Sequence, residues 1–132
     1  MELNYRIGHI PYTTAIIELY KSAGLNRPID DFERIGAMYA HSNLIVSVYH
    51  EGILVGVARS LTDYCYCCYL SDLAVREEYK KLGIGKRLIE HTQERIGEQV
   101  TLILLSAPIA MEYYPKVGFE KIENGFIIHR KV

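Results

Sequence analysis

Two glycines in the middle of the chain, Gly83 and Gly85, stand where a charged segment meets a helix-like pattern. The first four N–H groups of a helix have no acceptor within it, and the helix dipole adds partial positive charge at the same end. Glycine lets a bulky anion approach that backbone closely. The pattern predicts a phosphate-binding turn, although a tight turn without a ligand also requires glycine.

The cysteines and histidines do not show the spacing of metal ligands. Cys65, Cys67 and Cys68 are clustered, and no second pair of Cys or His stands at zinc-finger spacing. Alternation along a strand would divide the three thiols between two faces. We expect them to be small buried hydrophobic side chains rather than a disulfide framework. The five histidines are scattered through the chain, so we expect no metal site.

Length and composition predict one ordinary globular domain covering residues 1–132. Hydrophobic residues make up 49% of the chain and charged residues 23%, as is usual for a packed domain. A net charge of −1 argues against a nucleic-acid-binding protein, because such proteins carry a basic excess. No apolar run approaches the roughly 20 residues that span a bilayer, and the N-terminus lacks a signal-peptide pattern. We expect a cytoplasmic protein without membrane or nucleic-acid partners.

The periodicity of the apolar residues predicts elements in the order β-α-α-β-β-β-α-β-α-β-β. Asp30 with Glu33 resembles a helix-capping pair, and Gly24 closes the first helix. The run 101–105 is apolar without alternation, which predicts a strand covered on both faces, and Asn124-Gly125 predicts a terminal hairpin. The predicted strands are 3–7, 44–49, 53–62, one ending at Val75, 101–105, 119–122 and 126–130, and the helices begin near Pro11, Asp30, Ile84 and Pro108.

This order joins a three-stranded meander to a parallel crossover, so it predicts a mixed α/β sheet. A Rossmann domain would repeat βαβ units, and its fingerprint needs a small residue where this chain has Leu88. A P-loop needs four residues between its glycines, whereas only Ile84 separates Gly83 from Gly85. Neither nucleotide-binding motif explains the turn.

Two segments resemble the GNAT N-acetyltransferase superfamily, and the element order is similar to that family over essentially the whole chain. The family carries Arg/Gln-x-x-Gly-x-Gly/Ala between its fourth strand and third helix, where this chain has Lys-Lys-Leu-Gly-Ile-Gly at 80–85. Further on it often shows Ala-x-x-Phe-Tyr-x-Lys-x-Gly-Phe, and the corresponding run here is 110–119. The segments 59–63 and 69–72 also resemble family segments. The chain departs from the family at Lys80 in place of Arg or Gln, Glu77 in place of a frequent Pro, and Ala107 in place of an Asn that contacts the cofactor in many members.

The resemblance implies acetyl-CoA as the acetyl donor, and no metal. Its diphosphate would lie on the backbone N–H groups of 81–87, with charge from Lys80, Lys86 and Arg87. In the family the fourth and fifth strands splay apart, and the pantetheine arm pairs with the backbone corresponding to 73–75. The implied cofactor-binding residues are Leu73, Ala74, Val75, Lys80, Lys81, Leu82, Gly83, Ile84, Gly85, Lys86, Arg87 and Tyr114.

The resemblance also implies catalytic roles. Tyr114 aligns with the family's tyrosine near the sulfur, so its phenol would act as general acid, and a backbone N–H near Leu73 would stabilise the oxyanion. We interpret Tyr113 as a packing residue. The general base is open. Asp72 is on the cofactor-binding strand, but by alternation it points opposite to Leu73 unless a bulge re-aims it. A solvated or structural role suits Asp72 as well, and the other candidate bases are Asp63, Glu112 and Tyr69.

The expected function is transfer of an acetyl group from acetyl-CoA to a primary amine of a small molecule or peptide, by direct attack in a ternary complex. The alternative is a catalytically silent acyl-CoA-binding sensor or subunit, because the base is unassigned and Ala107 lacks the family's amide. The acceptor pocket should include the 25–29 loop and the second helix. An edge strand in the last hairpin gives a second copy a surface to pair with, so we also expect a homodimer.

Overall fold

A computed structural model describes the whole chain from Met1 to Val132. Five strands and four α-helices form the fold, and short 3₁₀ turns lie at Glu77–Tyr79 and Pro108–Ala110. The strands are β1 (Asn4–Ile7), β2 (Leu44–His50), β3 (Ile53–Thr62), β4 (Cys67–Val75) and β5 (Thr101–Ile103). The helices are α1 (Thr13–Ala23), α2 (Phe32–Ala40), α3 (Ile84–Ile96) and α4 (Tyr113–Lys116). None of these helices is long and apolar enough to cross a membrane.

The strands form one mixed sheet in the spatial order β1-β2-β3-β4-β5. The first three pairings are antiparallel, and β4 and β5 are parallel neighbours, as the crossover through α3 predicted. The β2–β3 connection turns at Glu51 and Gly52, which both have positive φ. That conformation matches the twist of a two-residue hairpin, so the predicted turn is confirmed.

Local sequence chemistry explains most helix ends. Gly24 has φ 73° and closes α1 in the left-handed conformation, as predicted. The cap of α2 lies one residue later than predicted, because Asp31 rather than Asp30 accepts a hydrogen bond from the Arg34 N–H at 3.0 Å. The short final helix ends at Lys116, before Gly118, as predicted, but it begins at Tyr113, because Pro108 starts only a separate 3₁₀ turn.

Two apolar clusters cover the two faces of the sheet. The first packs α3 against one face, with Leu88, Ile89 and Val48 near its centre. The second packs α1 and α2 against the other face, with Leu19, Ile35 and Val57. Because the central strands contribute side chains to both clusters, they hold the two helical layers at fixed positions relative to one another.

The C-terminal third differs from the prediction. β5 ends at Ile103 rather than Leu105, and it is partly exposed instead of covered on both faces. The segments 119–122 and 126–130 form no strands, so the predicted terminal hairpin is absent. Gly125 lacks the positive φ that a two-residue hairpin turn requires, so that turn does not form there. The cysteine prediction is also wrong in part, because Cys68 is buried whereas Cys65 and Cys67 are exposed.

Candidate active site

The parallel strands β4 and β5 separate after a short contact. Their pairing runs from Cys67 opposite Thr101 to Tyr69 opposite Ile103, whereas β4 continues to Val75. The second half of β4 therefore has no strand partner on this side. The splayed strands that the resemblance implied are present.

A bulge at Ser71 marks the point where β4 leaves β5. In the pairing with β3, Ser60 lies opposite Leu70 and Arg59 lies opposite Asp72, which leaves Ser71 as an extra residue. Leu70 packs into the α3 cluster, whereas Ala74 packs into the α1–α2 cluster, although both are even-numbered positions. The bulge thus reverses which face the following side chains occupy.

The backbone of β4 offers hydrogen-bonding groups to the open side. Just after the strand, the Arg76 N–H donates to the Val55 carbonyl of β3 at 2.8 Å. Because successive N–H groups in a strand point to opposite edges, those of Leu73 and Val75 point away from β3. The N–H of Ala74 points toward β3, and its side chain is buried among α1 and α2. The structure therefore does not support its predicted role in cofactor binding.

The glycine turn contains successive N–H groups without an acceptor in the protein. Lys81 and Gly83 both have left-handed φ, 70° and 79°, which is uncommon for a lysine. The first N–H bonded within α3 is that of Arg87, which donates to the Gly83 carbonyl. The six preceding N–H groups, from Lys81 to Lys86, have no acceptor in the protein. Alternating left- and right-handed residues at a helix N-terminus form an anion-binding surface.

Only some of the predicted cations are free to face that surface. Lys80 Nζ lies 2.8 Å from the Glu77 carboxylate and 3.2 Å from the Ala23 carbonyl. Arg87 is paired with Glu90 along the exposed side of α3, at 3.5 Å. Lys81 and Lys86 are exposed and form no ion pair. These two lysines, rather than Lys80 and Arg87, are the charges available beside the turn.

Tyr113 brings α4 against the glycine turn. A Cβ added to Gly85 would lie 2.6 Å from the Tyr113 hydroxyl and 3.9 Å from Val75 Cγ2. Gly85 therefore allows three segments to meet: the end of β4, the start of α3 and α4. The interpretation of Tyr113 as a packing residue omitted this contact.

Tyr114 stands next to this junction. Its ring packs edge-on against Tyr113 and Phe119, with centroids 5.2 and 5.5 Å apart. Burial raises the pKa of its phenol, and Tyr113 adds to the rise while the positive charge of Arg27 partly opposes it. The hydroxyl makes no hydrogen bond within the protein, so its proton is available to a bound molecule.

The Asp72 carboxylate is fully buried and satisfied. It accepts hydrogen bonds from Arg59 at 3.0 and 3.2 Å, Arg27 at 2.9 Å and Ser71 at 3.0 Å, and from the Tyr20 hydroxyl. Burial is the largest single effect and favours the neutral acid, but Arg59, the Tyr20 hydroxyl and Arg27 together outweigh it and lower the pKa of Asp72. A buried carboxylate with a lowered pKa cannot remove a proton from an alkylamine, so this geometry supports the structural role and not the base.

Arg27 connects this buried group to the 25–29 loop. Its guanidinium donates to Asp72, to the Ser71 carbonyl at 2.7 Å and to the Asn26 carbonyl at 2.7 Å. The loop is thereby attached to β4 at the bulge, beside Leu73. Sequence reasoning missed the partners Arg59, Tyr20 and Tyr39. Strand pairing brings Arg59 beside Asp72, and the packing of α1 and α2 on the sheet brings the two tyrosines there.

Comparisons with known proteins identify the family of this chain. Residues 21–128 match the family model described as an acetyltransferase (GNAT) domain. An uncharacterized N-acetyltransferase, ycf52, of Porphyra purpurea is 28% identical over 115 residues, which is 82% of this chain and 64% of the algal protein. The chain thus matches less than two thirds of the length of that relative. A chloroplastic GCN5-related N-acetyltransferase 2 of Arabidopsis thaliana is 30% identical over 80 residues, 57% of this chain and 30% of the plant protein.

Solved structures share the fold. A probable acetyltransferase of Staphylococcus aureus, SA2161, superposes with a TM-score of 0.83 at 23% identity, covering 98% of this chain and 100% of that one. The aminoglycoside N-acetyltransferase AAC(6')-Iy, solved in complex with CoA, gives a TM-score of 0.74 at 17% identity, covering 99% of this chain and 96% of that one. Because the family model matches residues 21–128, which is most of the chain, the chain belongs to the GNAT acetyltransferase family.

Proposed function

We propose that this chain transfers an acetyl group from acetyl-CoA to an amine. The observation that carries the proposal is the row of six unpaired N–H groups from Lys81 to Lys86, at the end of an open strand. A diphosphate carries the charge and the acceptor atoms that such a row requires. Lys81 and Lys86 supply the nearby positive charge.

The rest of the donor fits along β4. The N–H groups of Leu73 and Val75 face the open side, where an extended amide-containing arm can pair with them as a strand would. Gly83 and Gly85 keep side chains out of the turn. The site therefore has a phosphate end and an extended groove, in the order that a CoA thioester requires.

The chain's own residues then carry out the proton transfers and charge stabilisation. Acetyl-CoA supplies an activated acetyl group. The Leu73 N–H donates a hydrogen bond to the oxyanion that develops when the amine attacks. The Tyr114 hydroxyl donates its proton to the departing thiolate. This role requires the phenol to be protonated at neutral pH, and its raised pKa favours that state. Because Asp72 is already ion-paired, the amine loses its proton to solvent or to a group outside this network.

The proposed acceptor is a primary amine of a small molecule or an exposed peptide amine. Two neighbours in fold, AAC(6')-Iy and meta-AAC0020, are aminoglycoside acetyltransferases, and the first was solved with the bisubstrate analogue CoA-S-monomethyl-acetylneamine. In this chain the 25–29 loop, attached through Arg27, borders the open side of β4. Its position makes that loop the main candidate for acceptor contacts.

Thiol release from acetyl-CoA, measured with a panel of small amines and peptides, tests the proposal. An acetyltransferase releases CoA thiol only when an accepted amine is present, and the acetylated product appears in equal amount. The matched control is the same mixture with Tyr114→Phe. Tight CoA binding with no thiol release for any amine would favour the silent acyl-CoA-binding module instead.

A further inference from the structure

Part of the sheet is left uncovered on the side of α1 and α2. Leu61 of β3, Tyr69 of β4 and Ile103 of β5 lie opposite one another in neighbouring strands. Their exposed fractions are 41%, 39% and 39%. Cys68 and Leu70, which flank Tyr69 along β4, pack into the α3 cluster, so Tyr69 and its two partners point to the other face. These three side chains form an apolar patch across three strands.

The apolar patch adjoins the candidate active site. Tyr69 lies just before the Ser71 bulge, where β4 separates from β5. Tyr114 packs with the α3 cluster, so it occupies the opposite side of the gap between the two strands. An amine therefore has room to approach from the side of the patch. The four residues from Tyr69 to Leu73 span about 13 Å, so one small molecule can contact the patch while its amine lies near the Leu73 N–H.

The charges beside the apolar patch disfavour an acceptor with several positive groups. In the buried group, the single carboxylate of Asp72 faces the guanidinium groups of both Arg27 and Arg59. This group therefore carries a net positive charge, and the Arg27 side chain is 27% exposed. Asp63, which follows Leu61 closely in the chain, already accepts hydrogen bonds from three backbone N–H groups at 2.8–3.1 Å. A polyamine would bring further ammonium groups next to a positive charge, whereas an amine on an uncharged body would not.

We propose that the acceptor is a monoamine whose aromatic or aliphatic body lies on the apolar patch. This inference rests on the proposed function, because it names the acceptor class of the same site. Contact with the patch removes apolar surface of both the ligand and the protein from water. The exposed Tyr69 ring also gives an aromatic body a partner for offset or edge-on packing.

Acetylation of a matched panel of amines tests the proposal. The panel contains ethylamine, hexylamine, 2-phenylethylamine and spermidine, and kcat/KM is measured for each. We expect kcat/KM to rise about twofold to fourfold for each methylene between ethylamine and hexylamine, the range for partial to full burial of a methylene. We also expect 2-phenylethylamine to be preferred over spermidine. Equal values for the two alkylamines, or a preference for spermidine, would overturn the proposal.

A double variant tests whether the preference comes from the apolar patch. Leu61→Thr/Ile103→Thr makes both ends of the patch more polar with a residue that favours strands, at positions that are already partly exposed. The ratio of kcat/KM for hexylamine to that for ethylamine should fall roughly tenfold, because several methylenes lose their apolar contact. Ile53→Thr is the matched control, since Ile53 is 52% exposed at the start of β3 and lies outside the patch. An unchanged ratio in the double variant would contradict the proposal.

Binding without turnover distinguishes a failure of this inference from a failure of the proposed function. The chain is mixed with CoA, which carries no acetyl group, and 2-phenylethylamine is added while the amide resonances are followed by NMR. We expect shifts at Leu61, Tyr69 and Ile103, and smaller shifts in the double variant. Shifts there without acetylation of any amine would support the patch as a binding surface and refute acetyl transfer. Acetylation without such shifts, or shifts that follow the protein concentration instead of the amine, would refute the patch as the acceptor surface.

Discussion

At the residue scale, Tyr114 combines a half-buried ring with a hydroxyl that has no partner in the protein. We expect Tyr114→Phe to lower turnover by roughly 10²- to 10⁴-fold while the affinity for acetyl-CoA stays the same, because the ring packing is kept and only the proton donor is lost. Steady-state kinetics with the true acceptor, together with calorimetry for CoA, measure both quantities. Tyr66→Phe is the control, as Tyr66 is 78% exposed. Turnover within about threefold of the parent would leave Tyr114 a packing residue.

The direction of the Tyr114 pKa shift gives a separate expectation for pH. Burial raises the phenol pKa, so the protonated, donating form persists to higher pH than that of an exposed tyrosine. Turnover should therefore decline on the alkaline side only above about pH 10, the ordinary tyrosine value. The pH profiles of parent and Tyr114→Phe test this. A decline at the same pH in both proteins would assign the alkaline limb to another group.

Asp72 carries a prediction about stability rather than chemistry. Asp72→Asn leaves the buried Arg59 guanidinium without its counter-charge, so we expect a loss of about 3–5 kcal/mol in the free energy of unfolding. Urea unfolding of both proteins measures the loss, with the exposed Asp30→Asn as control. A change below about 1 kcal/mol would mean that Arg59 finds other partners.

The pH dependence of that stability has a defined sign. Folding lowers the pKa of Asp72, so its contribution is fully present above the unfolded value of about 3.9. It is lost as the pH falls through the lower folded value. Stability measured below pH 4 should therefore fall more steeply in the parent than in Asp72→Asn. Parallel curves for the two proteins in this range would contradict the assignment.

At the element scale, substitutions in the turn between β4 and α3 distinguish the proposed binding of CoA from the stability of the helix. Val at Gly83 or Gly85 places a branched side chain in the N–H row, and at Gly85 it also meets the Tyr113 hydroxyl. We expect each variant to weaken CoA binding by tenfold or more, about 1.4 kcal/mol. Gly97→Val is the control for backbone strain, because Gly97, at the other end of α3, also has a positive φ of 83°.

Calorimetry with CoA, accompanied by thermal unfolding, distinguishes the two effects. All three glycine variants should lose some stability, whereas only those at Gly83 and Gly85 should lose affinity for CoA. Undiminished affinity in both would place the diphosphate elsewhere. Equal weakening in Gly97→Val would show that the loss comes from strain in the helix and not from obstruction of the turn.

The elements that sequence predicted well are those governed by nearby residues. Gly24 ends α1, and Glu51-Gly52 closes the hairpin, because both need only local backbone conformations. The Ser71 bulge could not be foreseen, since it arises from the register between β3 and β4. Asp72 nevertheless points opposite to Leu73, as alternation predicted, because Leu73 packs against the α3 cluster and Asp72 contacts Tyr20 of α1. At Asn124-Gly125 the sequence predicted a feature that is absent, because this strong hairpin-turn signal forms no hairpin here.

In the candidate site, too, the features set by nearby residues were predicted better than the others. The Gly83–Gly85 turn was predicted from spacing, and its free N–H groups are present. The charges around it were predicted less well. Glu77 and Glu90 each stand three residues from the cation they pair with, a helical spacing visible in the sequence but not weighed against the turn. The sequence showed Lys81 only as one residue of a basic run and did not indicate its left-handed φ.

At the scale of the whole molecule, the two faces of the sheet support different parts of the candidate site. The α3 cluster supports the turn at which we propose phosphate binding, and the α1–α2 cluster supports the buried Asp72 group and the 25–29 loop. β4 contributes to both, because successive side chains of a strand point to opposite faces of the sheet. A ligand that spans β4 and the turn should therefore stabilise both helical layers together, and the protein should unfold in one transition.

CoA should accordingly raise the thermal midpoint of the entire chain. A ligand at one hundred times its Kd stabilises the folded state by about 2.7 kcal/mol, which for a domain of this size corresponds to roughly 8 °C. Pantetheine at the same concentration lacks the diphosphate, so it should give a much smaller shift if the N–H row of 81–86 is the main anchor. Gly83→Val should remove most of the CoA shift and leave that of pantetheine unchanged. Equal shifts from CoA and pantetheine would mean that β4, and not the helix N-terminus, provides most of the binding energy.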